Sequence, residues 1–117
     1  MSRSTVNRLE DIIYSPNLVL RHAGDRDANA LPAADGPRDA VLFRLAVVCE
    51  AASQLPADIQ ALAPEIPWRR IKNMRNEIVH AYWQIDYVVV VDTISADLGP
   101  LTVGVQRLLS LVERSDP

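Results

Sequence analysis

Arg75 and His80 are the two side chains of this chain whose types and spacing could do chemistry together. An arginine is permanently charged and presents a planar fork of donors that matches a phosphate. A histidine takes up and returns a proton near neutral pH. Together they supply what RNA cleavage without a metal requires. One group abstracts the proton of a 2′-hydroxyl, and the other stabilises the charge that builds on the phosphate oxygens. The nucleophile is part of the substrate, so proximity comes with binding. Read without its surroundings, an R-x4-H spacing is a weak signal. His80 has a plainer reading as a C-terminal helix histidine facing the helix dipole. Arg75 has one as a structural arginine paired with Glu50 on a neighbouring helix.

A helix of about 100° per residue sets Arg75 and His80 about 140° apart. Asn76 and His80, four residues apart, share a side. Arg75 falls within the arc of Ile71, Met74, Ile78 and Tyr82. One straight helix therefore does not aim the pair at one phosphate. Either the helix ends before His80, or two copies contribute across a two-fold axis.

The elements that must position these groups read as helices. Residues 5–23 have apolar residues at roughly helical spacing, interrupted at Ser15-Pro16, where a kink or a second start is expected. Residues 24–37, rich in Gly, Pro, Asp and Ala, form the best loop candidate, with room for a short helical turn. Over 38–55, Val41, Leu45, Val48, Ala52 and Leu55 recur at steps of four and three, between Gly36-Pro37 and Pro56. Cys49 lies in this stripe and reads as a small core residue. A short turn fits 57–63, and a helix starts at about Pro67 and runs through His80. Residues 86–114 carry a local conflict. Tyr87-Val88-Val89-Val90-Val91 has strand composition, but the wider spacing is helical and no second strand offers itself as partner. A helix broken or bent at Gly99-Pro100 is expected. Four main helices make an all-α bundle of one domain, 1–117.

Bulk properties narrow the setting. A length of 117 residues suits a single core, and the lone cysteine excludes an internal disulfide. The apolar runs fall short of a membrane span, and the N-terminus does not read as a signal peptide. A cytoplasmic protein with no membrane association is expected. Two histidines and one cysteine offer no usual metal-ligand set, so neither metal nor cofactor is expected. The net charge of −3 argues against broad nucleic-acid binding, but its distribution is uneven. Residues 69–80 hold Arg69, Arg70, Lys72 and Arg75 against Glu77, a net +3. The rest of the chain carries 8 of the 12 basic and 14 of the 15 acidic residues. Such a stripe could draw a polyanion to one place, or could be a solvated helix face.

The wider context of the pair is more specific. Pro64-Glu65-Ile66-Pro67-Trp68-Arg69-Arg70-Ile71, then Met74-Arg75-Asn76, His80, Tyr82, Asp86, Asp92-Thr93-Ile94 and Asp97-Leu98 closely resemble the HepT-like (DUF86) branch of the HEPN superfamily. Cys49-Glu50-Ala51-Ala52 resembles that family's Gly-Glu-Ala-Ala segment, with cysteine where glycine is usual. The resemblance covers residues 38–112; before that only Leu9-Glu10-Asp11-Ile12 looks similar. It implies an antiparallel four-to-five-helix HEPN bundle that forms a homodimer, with motifs from both subunits lining a shared cleft. It implies a metal-independent endoribonuclease, the toxin of a toxin–antitoxin pair. The partner would be a minimal nucleotidyltransferase antitoxin of the MntA type, able to transfer AMP to Tyr82. By position, Arg75 would stabilise the phosphate and His80 would act as general base or acid. Asn76 would orient substrate or His80, and Glu50 would support Arg75. The basic residues Arg69, Arg70 and Lys72 would assist in binding RNA. The alternative is a catalytically inactive helical dimer that serves as binding partner or AMP acceptor of the nucleotidyltransferase.

Overall fold

The stripe of Val41, Leu45, Val48 and Ala52 forms the centre of the molecule. In the structure, a computed structural model that describes residues 3–115 (side chains from 5 to 114), all four are buried, as are Leu42, Cys49 and Leu55. They lie on α3 (Asp35–Ser53), with Leu55 just beyond it. The other main helices are α1 (Arg3–Ala23), α5 (Trp68–His80) and the run of α6 (Tyr87–Asp92) into α7 (Leu98–Ser115). Short helices α2 (Ala30–Ala33) and α4 (Ala57–Ala61) fill the two connections. No strand occurs among the described residues, and the all-α bundle stands as expected. Helix α3 packs against both α1 and α5, and α1 also packs against α7. Leu9, Ile12, Val19, Ile71, Met74, Leu101, Val105 and Leu108 close one shared core. Met1, Ser2, Asp116 and Pro117, part of the 1–117 domain, lie outside the described residues.

Three places refine the sequence reading, and each involves a proline. Helix α3 begins at Asp35, inside the segment 24–37 read as loop, with Pro37 in its first turn, where the missing backbone donor costs no hydrogen bond. Helix α1 continues through Pro16 with no second start. Pro16 is buried, so packing holds a helix that the missing backbone donor weakens. In the last helix the irregularity falls upstream of Gly99-Pro100, at a π turn spanning Thr93–Asp97. Proline at 100 has no N–H to offer the carbonyl of Ala96, four residues back, and its ring crowds that carbonyl. The amide of Leu98 instead reaches the carbonyl of Thr93, five residues back.

Elsewhere, local chemistry explains the elements. The Asp86 carboxylate accepts a hydrogen bond from the amide of Val88 at 2.9 Å. That N-cap commits the valine run to helix despite its strand composition. The Asp27 carboxylate gathers the amides of Asn29 and Ala30 ahead of α2. These bonds, that of Ala30 first, hold its pKa below the ordinary value. Gly24 ends α1 at φ +57°, a left-handed position that glycine adopts freely. Two contacts fix the entry to α5. The Trp68 indole N–H is shared between the carbonyls of Gln60 and Ala63. Gly104 on α7 lets Ile66 approach so closely that a Cβ there would sit 2.5 Å from its terminal carbon.

By length and apolar content alone, the helical run Tyr87–Arg114 could cross a membrane. Its Val90, Leu98, Leu101, Val105, Leu108 and Val112 are buried in the bundle core.

Candidate active site

Helix α5 presents three faces, and each receives different chemistry. Its apolar stripe, Ile71, Met74 and Ile78, is buried. Beside that stripe Arg75 projects toward α3, where Glu50 stands on the adjoining helix face. The Arg75 Nε–H donates to Glu50 Oε2, and Nη1 donates to Asn76 Oδ1 at 2.8 Å. Gln54 Nε2 donates to the other Glu50 oxygen at 3.3 Å. Glu50 is thus the partner that the sequence reading named for Arg75.

The pair sits at the wall of an open cleft of about 770 Å³ between α1, α3 and α5. Arg8 and Asp11 come from α1, and Phe43, Ala46 and Val47 from α3. Val79 follows Arg75 by one turn on α5. Phe43 and Val79 are exposed, so the rim is apolar around a charged floor. The Arg75 side chain keeps 28% of its surface in contact with solvent and Glu50 45%. Among the described residues the Nη2 donors of Arg75 have no hydrogen-bond partner and are open to a ligand. A guanidinium so held has a fixed plane, which suits the capture of a phosphate.

Helix α5 runs through His80 as its last residue. The first way of bringing His80 toward Arg75, an earlier helix end, is therefore not taken. His80 is exposed and does not line the cleft. It shares a face with Asn76, Lys72 and Arg69, which fall within an arc of about 80°. Asn76 stands between the two groups: its side chain is bonded to Arg75 and it lies one turn before His80. Within one chain the structure brings together Arg75, Asn76 and Glu50, and leaves His80 apart.

The basic stripe divides. Arg70 Nη2 donates to Asp97 Oδ1 at 2.6 Å. Its place is thus beside a buried carboxylate on the π turn, away from the Arg75 cleft. Arg69 and Lys72 are exposed and line a separate hollow of about 270 Å³ with Trp68 and Gln60. Neither has an ion pair among the described residues.

Tyr82 lies beyond α5 in a 3₁₀ turn, Tyr82–Gln84, and is 49% exposed. Its neighbour Trp83, which the sequence reading passed over, is 76% exposed. The signal was present in Ala81-Tyr82-Trp83, where no apolar spacing claims the indole for the core. Both rings border a hollow with Pro32, Arg38 and Tyr87. Burial pushes the Tyr87 phenol above its ordinary value, and Arg38 opposes that shift.

Cys49 is buried in the core. Burial, and then the negative charge of Asp97, push its thiol up to about 12. Such a thiol stays protonated and unreactive. Among the described residues no group of three or more His, Cys, Asp or Glu is gathered so as to hold a metal ion.

Comparison with known proteins places the chain in a family. The model of the family described as "Ribonuclease HepT-like" matches residues 18–108. "Probable ribonuclease HepT" of Thermococcus cleftensis is 31% identical over 108 residues, 92% of this chain and 98% of that protein. "Putative RNase MJ1380" of Methanocaldococcus jannaschii is 30% identical over 98 residues, covering 84% of this chain and 90% of its own length. "Putative RNase TTE0752" of Caldanaerobacter subterraneus is 29% identical, with 64% of this chain and 71% of that protein covered. No solved structure matches the chain. The family match spans α3, all of α5 and the turn that follows, and takes in every cleft residue but Arg8 and Asp11 of α1. The chain belongs to the HepT-like ribonuclease family.

Proposed function

We propose that this chain is a metal-independent endoribonuclease, the toxin of a toxin–antitoxin pair, acting in the cytoplasm as a homodimer. The observation that carries the reading is Arg75, held by Glu50 and Asn76 at the wall of an open cleft with donors to spare. His80 takes the proton of a ribose 2′-hydroxyl. The freed oxygen attacks the adjacent phosphorus, the bond to the 5′-oxygen breaks, that oxygen takes a proton from water and leaves as a 5′-hydroxyl, and a 2′,3′-cyclic phosphate remains. Arg75 stabilises the charge gathered on the non-bridging oxygens. Lys72 and Arg69, exposed on the His80 face, hold flanking phosphates.

The homodimer answers the angle of about 140° between the two groups on one helix. Because α5 is unbroken through His80, a second copy is the remaining way to bring an imidazole to this Arg75. The exposed Phe43 and Val79 at the cleft rim support that reading, since a partner would cover them. The antitoxin in this reading is a minimal nucleotidyltransferase of the MntA type, and the exposed phenol of Tyr82 is its AMP acceptor. AMP bound there would stand two residues from His80 and obstruct it.

A second reading is favoured by one feature. Arg75 is already neutralised by Glu50, which suits a catalytically silent helical dimer that serves the nucleotidyltransferase as a binding partner. One experiment separates the two. The purified protein is incubated with RNA in EDTA. Ends bearing 2′,3′-cyclic phosphate are expected, with cutting lost in Arg75→Ala and His80→Ala. Cleavage that survives both substitutions would overturn the assignment. Absence of cleavage, with tight binding of the nucleotidyltransferase, would establish the silent dimer. Sedimentation at the mass of one chain would remove the dimer from the account.

A further inference from the structure

Trp83 has no core to serve, yet it stands within three residues of His80. Three residues of chain span at most about 11 Å, so the indole stays close to the histidine. Trp83 is 76% exposed, and Tyr82 beside it 49%. With Tyr87, Pro32 and Arg38 these rings line a hollow of about 280 Å³. An exposed indole in company with a second exposed ring is an apolar surface awaiting contact.

The charges around it say what kind of contact. Arg38 is engaged: it pairs with Asp35 at 3.2 Å and Asp39 at 3.0 Å, and donates to the Pro32 carbonyl at 3.1 Å. Asp86 adds a further negative charge nearby in sequence. Arg38 is thus committed and not free to clamp a phosphate, and the ring-lined hollow suits an uncharged, flat group. On the opposite side of His80, along α5, Arg69 and Lys72 present cations with no ion pair among the described residues. The two sides of His80 are thus divided, one for phosphate and one for a base.

We propose that the Tyr82-Trp83 turn is a stacking platform for one unpaired nucleobase of the RNA that lies across His80. The inference rests on the ribonuclease reading and narrows it. The substrate is single-stranded at the cut, because a paired base is already stacked within its helix and cannot lie on the indole. The platform reads a π-face, so it tolerates all four bases. Trp83 binds substrate; it moves no proton.

The test uses a short single-stranded RNA with one cleavage site, and variants carrying an abasic ribose on either side of that site. Trp83→Ala should lower kcat/KM about tenfold or more on the intact RNA, and Trp83→Phe should restore most of it. One of the abasic substrates should slow the unaltered protein by a similar factor, and on that substrate Trp83→Ala should add nothing. In parallel, a 2′-O-methyl oligonucleotide, which lacks the nucleophile, should quench the indole emission of the unaltered protein. It should leave that of Trp83→Phe, where only Trp68 emits, nearly unchanged. Equal slowing of intact and abasic substrates by Trp83→Ala would overturn the platform. So would a loss of dimer mass in that variant, which would assign the ring to a protein contact. If the unaltered protein cuts no RNA, the ribonuclease reading falls in that arm alone. The quenching arm then still decides whether the indole takes a base.

Discussion

Helix α5 carries two arginine–carboxylate pairs five residues apart, and they are opposite in construction. At Arg70–Asp97 the acid is buried, with 7% of its side chain exposed, and the arginine is 68% exposed. At Arg75–Glu50 the arginine is the more enclosed member, at 28%, and the acid is 45% exposed. A buried carboxylate is costly unless a cation accompanies it, so Arg70 is needed where it stands and has little freedom to serve a ligand. Glu50 has no such need, since water can solvate it. It acts on Arg75 instead, fixing a guanidinium that would otherwise swing in solvent. The same two residue types thus make a fastener on one side of the helix and a presented cation on the other.

The largest effects should break the presented cation. Arg75→Ala is expected to lower the cleavage rate about 100- to 1,000-fold, the scale for removing one donor to a developing charge. His80→Ala should cost a comparable 100- to 10,000-fold or so, as removal of a general base does. Unfolding midpoints in denaturant should move little in Arg75→Ala, by about 1 kcal/mol or less, because a half-exposed pair contributes little to stability. A large loss of stability with activity retained would show that the two pairs had been assigned the wrong way round.

At Arg70 the order reverses. Arg70→Ala leaves Asp97 buried without its cation, which should cost about 2 kcal/mol, less than a fully enclosed pair because Arg70 is mostly in water. Thermal unfolding would register this as a fall of roughly 8 °C in a domain of this size. The double variant Arg70→Ala with Asp97→Asn removes the charge that caused the loss and should recover much of the stability. Cleavage by the folded fraction should change only a few-fold. If the double variant is no better than the single one, the buried charge is not what Arg70 serves.

The contrast between the pairs also marks what the sequence could tell. The α3 stripe was legible because helical periodicity and burial coincide, and Val41, Leu45, Val48 and Ala52 are all buried. The valine run was legible as helix because of its surroundings, and the Asp86 cap supplies the local reason. Glu50 could be named as the partner of Arg75 because both lie on strong helices with readable faces. Asp97 could not be named for Arg70. The two are 27 residues apart, and the π turn rotates Asp97 off the face that regular helical spacing assigns it. At Pro16 the sequence left a kink or a second start open, and only the packing of the folded helix removes the second start. Trp83 was overlooked because its one signal, the lack of apolar spacing around Ala81-Tyr82-Trp83, does not by itself say that the residue is exposed.

The smallest effect belongs to the closed side. Cys49 lies buried within the charge field of Asp97, and its thiol is raised from 9.0 to about 12, by burial first and by Asp97 second. In the unfolded chain the thiol ionises near its ordinary value, whereas the folded form keeps its proton. Between about 9 and about 12 the folded state therefore binds more protons than the unfolded state, and stability falls as pH rises through that window. Well below pH 9 the thiol contributes no pH dependence. Native protein should consequently resist a thiol reagent such as DTNB at pH 8 and react fully once unfolded in guanidinium. Cys49→Ala should flatten the alkaline slope while leaving cleavage near its original rate, because Glu50, the next residue, faces the cleft while Cys49 faces the core. Rapid labelling of the native protein would mean that α3 opens at this point. The buried end of the Arg70–Asp97 pair would then be as accessible as the Arg75 cleft, and the difference between the two sides of α5 would be one of degree.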